Sequence, residues 1–248
     1  MISIQQITEH VWLMDDSGEA TGYVVTGTEQ AMVIDTMNGS EDVQAVARTV
    51  TSLPLILVNT HGHPDHIGGN RFFDRAYLHP ADIQLIGQFV NETDRALLPE
   101  TVLTQEGDVF DLGGLHVEVF DLPGHTPGGI CLLLREDRIL FTGDSINRHL
   151  WMQLDGCASL ETYLKALDRL APVMERADWI LHGHARGLES ITLYQAMRQG
   201  VADLVNQKDM QVTENDPVYR WFGGEDRMHP FDGADSVICY RPDNIWDR

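Results

Sequence analysis

At 248 residues and 43% apolar composition, the chain can bury one substantial core of ordinary globular character. Its 38 acidic residues against 17 Lys and Arg give a formal charge of −21, which repels nucleic acid and anionic membrane, both of which are bound through basic patches. No run approaches the roughly 20 apolar residues of a membrane span.

Strand-like runs come first, over residues 2–7, 11–14, 22–26 and 31–34, with Gly18 and Gly27-Thr28-Glu29 as turns. Ser40-Glu41-Asp42 then caps a helix that sets Val43, Val46, Ala47 and Val50 on one face. Leu55-Ile56-Leu57-Val58, bounded by Pro54 and Asn59-Thr60, has the pattern of a buried strand. Directly after it stands His61-Gly62-His63-Pro64-Asp65-His66. Three imidazoles and a carboxylate so close together make a poor core and a good set of ligands for Zn²⁺, with iron and manganese as rivals. Alternate side chains of an extended segment diverge, so His61 and His63 can reach one ion while Asp65 and His66, further round the bend, reach a second. A loop at the C-terminal end of a strand is where sheet-based enzymes commonly place their chemistry.

A strand over 76–78, a helix over 80–90 and a polar connection over 91–101 are expected next. A second β-rich half follows, with strands over 109–112, 115–121, 130–134 and 138–141 and helices over 159–171, capped by Ser159, and 189–207. From about residue 210 the chain turns Gly- and Pro-rich and carries Trp221, Phe222, Phe231, Tyr240 and Trp246. An irregular extension packed on a single domain spanning 1–248 is expected, with a substrate wall or a homodimer contact as the sharper use of those aromatics. The first residues, Met1-Ile2-Ser3-Ile4-Gln5-Gln6, lack the basic and apolar parts of a secretory leader. Cys131, Cys157 and Cys239 form neither a disulfide framework nor a thiolate metal motif, so a cytoplasmic protein is expected.

Five segments bear on function together: Asp35 after an apolar strand, Thr60-His61-Gly62-His63-Pro64-Asp65-His66, Gly124-His125-Thr126-Pro127-Gly128-Gly129, Phe141-Thr142-Gly143-Asp144, and Gly183-His184. In order and spacing they resemble the metallo-β-lactamase-fold hydrolases, the superfamily of glyoxalase II and the quorum-quenching lactonases. The resemblance implies an α+β fold, a four-layer αββα sandwich with metals at one edge. It implies two Zn²⁺ per chain, with His61, His63 and His125 around the first, Asp65, His66 and His184 around the second, and Asp144 bridging them. It further implies a hydrolase in which a hydroxide shared by the ions attacks the activated carbonyl of a thioester, lactone or ester, with Asp65 relaying a proton. Any one of these histidines alone would more often be a hydrogen-bonded structural residue; five with two aspartates at strand ends outweigh that reading. Asp35 is expected to be a buried carboxylate that orders the metal loop.

The bridging carboxylate resembles the glyoxalase II and lactonase branches, and ranks β-lactam hydrolysis lower. No basic glutathione-binding cluster is found in the C-terminal part. The alternatives are an iron-dependent oxygenase or oxidoreductase on the same fold, and a metal-binding protein without activity, which the complete ligand set opposes. The last motif, Leu181-His182-Gly183-His184-Ala185, offers two imidazoles; His184 is preferred because it follows Gly183. The segment after Asp144, with Asn147, His149, Trp151 and Met152, is expected to border a pocket for a moderately apolar small molecule, with His182 as a further contact. Plain packing of Trp151 and Met152 over the core is the competing account. His116 is expected to face solvent, and His10, His79 and His229 have no motif context.

Overall fold

The apolar runs of the first half pair into a seven-stranded sheet in sequence order. Its strands are β1 (Ser3–Gln6), β2 (Val11–Asp15), β3 (Thr21–Thr26), β4 (Ala31–Ile34), β5 (Leu55–Val58), β6 (Arg75–Leu78) and β7 (Glu100–Leu103). Pairing is antiparallel as far as β4 and parallel from β4 to β7, so each later step needs a crossover. Helix α1 (Val43–Ala47) makes the first, begun by the Asp42 carboxylate, which accepts from Ala45 N at 2.9 Å. The second crossover carries the histidine-rich hexapeptide 61–66, which includes most of α2 (Pro64–Ile67), and the third carries α3 (Ile83–Phe89) and α4 (Glu92–Arg95). The computed structural model describes residues 1–207, 215–220, 225–233 and 235–248.

The second half contributes β8 (Val109–Asp111), β9 (His116–Asp121), β10 (Ile130–Leu134), β11 (Ile139–Gly143) and, outside this sheet, β12 (His149–Met152). After α5 (Leu160–Met174), β13 (Trp179–His182) pairs parallel to β11, and β14 (Glu189–Ser190) closes the edge before α6 (Thr192–Val205). The residues of β10 are all buried, and period two divides them between its faces. Ile130, Leu132 and Leu134 join Val25, Met32, Ile34, Val58 and Phe141 between the two sheets. Cys131 and Leu133 join Tyr163, Leu167, Leu170, Met197 and Val201 beneath α5 and α6. On the far side, Val24, Val33 and Leu57 pack with Val43 and Ala47 of α1. Helix, sheet, sheet, helix is the four-layer α+β sandwich.

Three expectations are corrected. The segment 91–101 is no plain connection; it contains α4 and the start of the edge strand β7. The helix expected over 80–90 begins as a 3₁₀ turn over Pro80–Asp82 before α3. The tail from about 210 is not irregular throughout, because β15 (Val218–Tyr219), β16 (Asp226–Pro230) and β17 (Val237–Tyr240) form a third sheet with β12, in the order β12-β17-β16-β15. Trp221 and Phe222 lie outside the described residues. Tyr240 is buried with its hydroxyl donating to Asp216, and the Trp246 indole N–H donates to the Val205 carbonyl at 3.0 Å. No helix among the described residues is long and apolar enough to cross a membrane.

Candidate metal centre

All seven expected ligands stand at the C-terminal ends of strands, on one edge of the sandwich. His61 and His63 follow β5, Asp65 and His66 lie in α2, and His125 lies between β9 and β10. Asp144 follows β11 and His184 follows β13. Pro64 at the first position of α2 holds a φ suited to the helix start and turns the chain sharply after His63. Gly143 sets the turn into Asp144: its φ is 49°, and a Cβ there would lie 2.2 Å from Thr60 Oγ1, so no other residue fits.

Two groups result. His61, His63 and His125 each offer a donor atom within 4.8 Å of the others, and so do Asp65, His66, Asp144 and His184. The Asp144 carboxylate lies between them. Its Oδ1 is 3.6 Å from His66 Nε2, both oxygens are 3.3 Å from His184 Nε2, and Oδ2 is also 3.8 Å from His125 Nε2. The first group is sealed, with His61, His63 and His125 at most 6% exposed. The second opens outward, the Asp65 and His184 side chains being 38% and 33% exposed.

Outer partners orient the rings. His66 Nδ1 donates to Asp35 Oδ2 at 2.9 Å, His184 Nδ1 to the Glu19 carbonyl at 2.6 Å, and His125 Nδ1 to the Trp151 carbonyl at 2.6 Å. The Thr60 hydroxyl donates to Asp35 Oδ2 at 2.6 Å, which leaves its lone pairs to accept from His61 Nδ1 at 3.1 Å. Nε2 is therefore the inward atom of all four rings, the one left to face a metal. His63 differs, since its Nδ1 lies 2.9 Å from His125 Nε2. Asp35 is the buried organiser expected from the sequence. It also accepts from Thr60 N at 2.8 Å, and it holds a left-handed φ of 58°, a conformation Asp adopts more readily than most residues.

Protonation follows the same division. Burial, reinforced by the neighbouring imidazoles, holds His61 well below the usual histidine range and His63 down to about 2. These rings are neutral, as ligands must be. In the second group the Asp144 charge raises His184; burial opposes charging of His66, but the Asp65 and Asp144 carboxylates overcome it and raise that ring. Burial would raise Asp144, yet His184 and His66 hold it well below the carboxylate range. A metal ion fits this donor set: His61 Nε2 and His66 Nε2 are buried without a hydrogen-bond partner, beside a carboxylate at low pKa.

The structure separates the two imidazoles of the last motif. His184 faces Asp144, whereas His182 is in neither group; its Nδ1 accepts from His184 N at 3.2 Å, and burial holds it down to about 4. Among the expected pocket residues, Asn147 is brought to the centre, with Nδ2 donating to Asp144 Oδ1 at 3.2 Å. Trp151 reaches it through its carbonyl. Met152 is corrected to a packing role, because at 1% exposure it is sealed in the core under α5. His149 is exposed on β12, its Nε2 3.1 Å from the Asp235 carbonyl in the turn before β17. His116 is half-buried on Glu136, and His10 pairs with Asp137. Sequence reasoning missed Asp82, a buried carboxylate that touches both ligand loops of the first group. Its sequence neighbourhood, His79-Pro80-Ala81-Asp82, carries no ligand spacing that could have marked it.

A family model described as the Metallo-beta-lactamase superfamily matches residues 18–184. Acyl-coenzyme A thioesterase MBLAC2 of Bos taurus is 28% identical over 207 residues, covering 68% of this chain and 74% of that protein. Hydroxyacylglutathione hydrolase GloC of Haemophilus influenzae is 30% identical over 136 residues, covering 47% of this chain and 61% of that protein. Among solved structures, a metallo-beta-lactamase from Pontibacter korlensis aligns with a TM-score of 0.67 at 21% identity, over 84% of this chain and all of that one. The matched stretch takes in all seven residues of the two groups, and the chain belongs to the metallo-beta-lactamase superfamily.

Proposed function

We propose that the protein is a dinuclear zinc hydrolase that cleaves small-molecule acyl thioesters. The observation that carries this reading is Asp144, whose carboxylate stands within reach of both donor groups, Oδ1 near His66, both oxygens near His184, and Oδ2 near His125 as well. A carboxylate so held can serve two cations at once. His61, His63 and His125 would hold the first, and Asp65, His66 and His184 the second. Two bound zinc ions would supply an acidified water at neutral pH and a Lewis-acidic contact for a carbonyl oxygen.

The chain's own residues then do three things. Asp35, Thr60 and the Trp151 and Glu19 carbonyls hold the imidazoles in one tautomer and one orientation. Asp65, the most exposed carboxylate of the site, stands 3.8 Å from His184 and can carry a proton between the centre and solvent. Asn147 fixes the Asp144 carboxylate from the side of the expected pocket.

Thioesters are favoured over lactones and other esters by the relatives. One is named a thioesterase, and the acylglutathione in the other's name is itself a thioester. The likeness to β-lactamase structures lies near 20% identity and speaks for the fold. The test is turnover of acyl-CoA, S-lactoylglutathione, an acyl-homoserine lactone and nitrocefin by zinc-loaded protein. A thioester should be preferred by at least about tenfold in kcat/KM. Preference for the lactone or nitrocefin would overturn the substrate assignment.

A further inference from the structure

Asp82 is fully buried, yet its side chain does not cap α3, which it precedes. Its carboxylate is spent on two other loops. Oδ2 accepts from Gly62 N at 2.8 Å and from Thr126 Oγ1 at 2.9 Å, and Oδ1 accepts from Gly128 N at 2.6 Å. Gly62 lies between His61 and His63, and Thr126 directly follows His125. The two loops leave strands of different sheets, β5 in the first and β9 in the second. Close approach is built in: a Cβ at position 128 would lie 2.8 Å from both Asp82 N and Asp82 Oδ1. Three donors converge on one group that only accepts, a job a carboxylate can do and an amide cannot, since its NH₂ would face a donor.

We infer that Asp82 is the positioning residue of the three-histidine group: by tying the 61–63 loop to the 125–128 loop it sets the spacing of His61, His63 and His125. It does not touch the imidazoles and acts through the backbone on either side of them. The second group has a different device, Asp35, which bonds the His66 ring itself. The inference rests on the reading of these residues as metal ligands.

The test is site-resolved metal binding by the full chain. Zinc is titrated against a chromophoric chelator, and Co²⁺ is added stepwise while its visible absorption is followed. Asp82→Asn should weaken binding at the three-histidine group about 10–100-fold and alter the Co²⁺ bands of that step, with the other step within about threefold of the parent. Thr126→Val deletes one of the three bonds, keeps the buried carboxylate, and answers the question if Asp82→Asn does not fold. It should weaken the same step by several-fold, following the loss of one bond to a charged acceptor. Equal weakening of both steps would make Asp82 a general structural residue and overturn the inference. So would unchanged affinity at both. A parent chain that binds no metal would overturn the proposed function and this inference with it.

Discussion

The two donor groups stand side by side, share Asp144, and are built on opposite plans. The first is all imidazole and buried, with His61 and His63 held neutral, and is assembled by a carboxylate acting on the backbone of two loops. The second mixes carboxylates with imidazoles, is partly open to solvent, and carries charge before any ion arrives. The difference teaches where each plan is vulnerable. A neutral, sealed group depends on geometry and resists acid. A charged, open one tolerates small displacements and gives up its metal as protons compete.

The largest effect should come from removing what the groups share. Asp144→Ala leaves two cations facing each other without a bridge, so metal content and activity should fall further than the roughly 10–100-fold typical of outer partners. Near-normal turnover with full occupancy would dissolve the comparison, because the groups would then be independent. Next, His63→Ala and His66→Ala should deplete different ions: metal analysis of each variant should show the loss on its own side. Identical loss in both would mean one site, not two.

Asp35→Asn should cost about 10–100-fold in affinity at the second group through the His66 ring, disturb the first through Thr60 and His61, and cost stability as well, because the buried Thr60 N, Thr60 hydroxyl and His66 ring would share a weaker acceptor. Acid should discriminate more gently. His184 and His66 are raised and must release protons to bind, whereas His61 and His63 are already neutral. Lowering pH should therefore weaken the second binding step more steeply than the first, measured by chelator competition across a pH series; equal slopes would contradict the assigned charge states. The smallest effect is expected from Asn147→Ala, which deletes one bond to Asp144 and should cost about tenfold or less in kcat/KM with both ions retained.

The clustering of the candidate ligands was legible because residue type and loop position both pointed to it. Histidines crowded after an apolar strand have few structural uses, and Asp35 stood at the end of another such strand. What stayed hidden depends on contacts that residue type does not encode. The Trp151 and Glu19 carbonyls orient two of the rings, and any residue could supply them. Asp82 is remote in sequence from both loops it joins. Met152 was drawn into the pocket by its place after Asp144, but β12 pairs with β17, whose residues lie far along the chain, and that pairing turns Met152 into the core. The third sheet escaped for the same reason: short strands of mixed composition become strands through long-range partners.

The central claim is that two ions sit in two unlike groups joined by Asp144. Elemental analysis of zinc-reconstituted chain, dialysed free of loose metal, tests it most directly alongside Asp144→Ala. The account predicts two zinc ions per chain in the parent and fewer in the variant. One ion or none in the parent, or two retained in the variant, would contradict it.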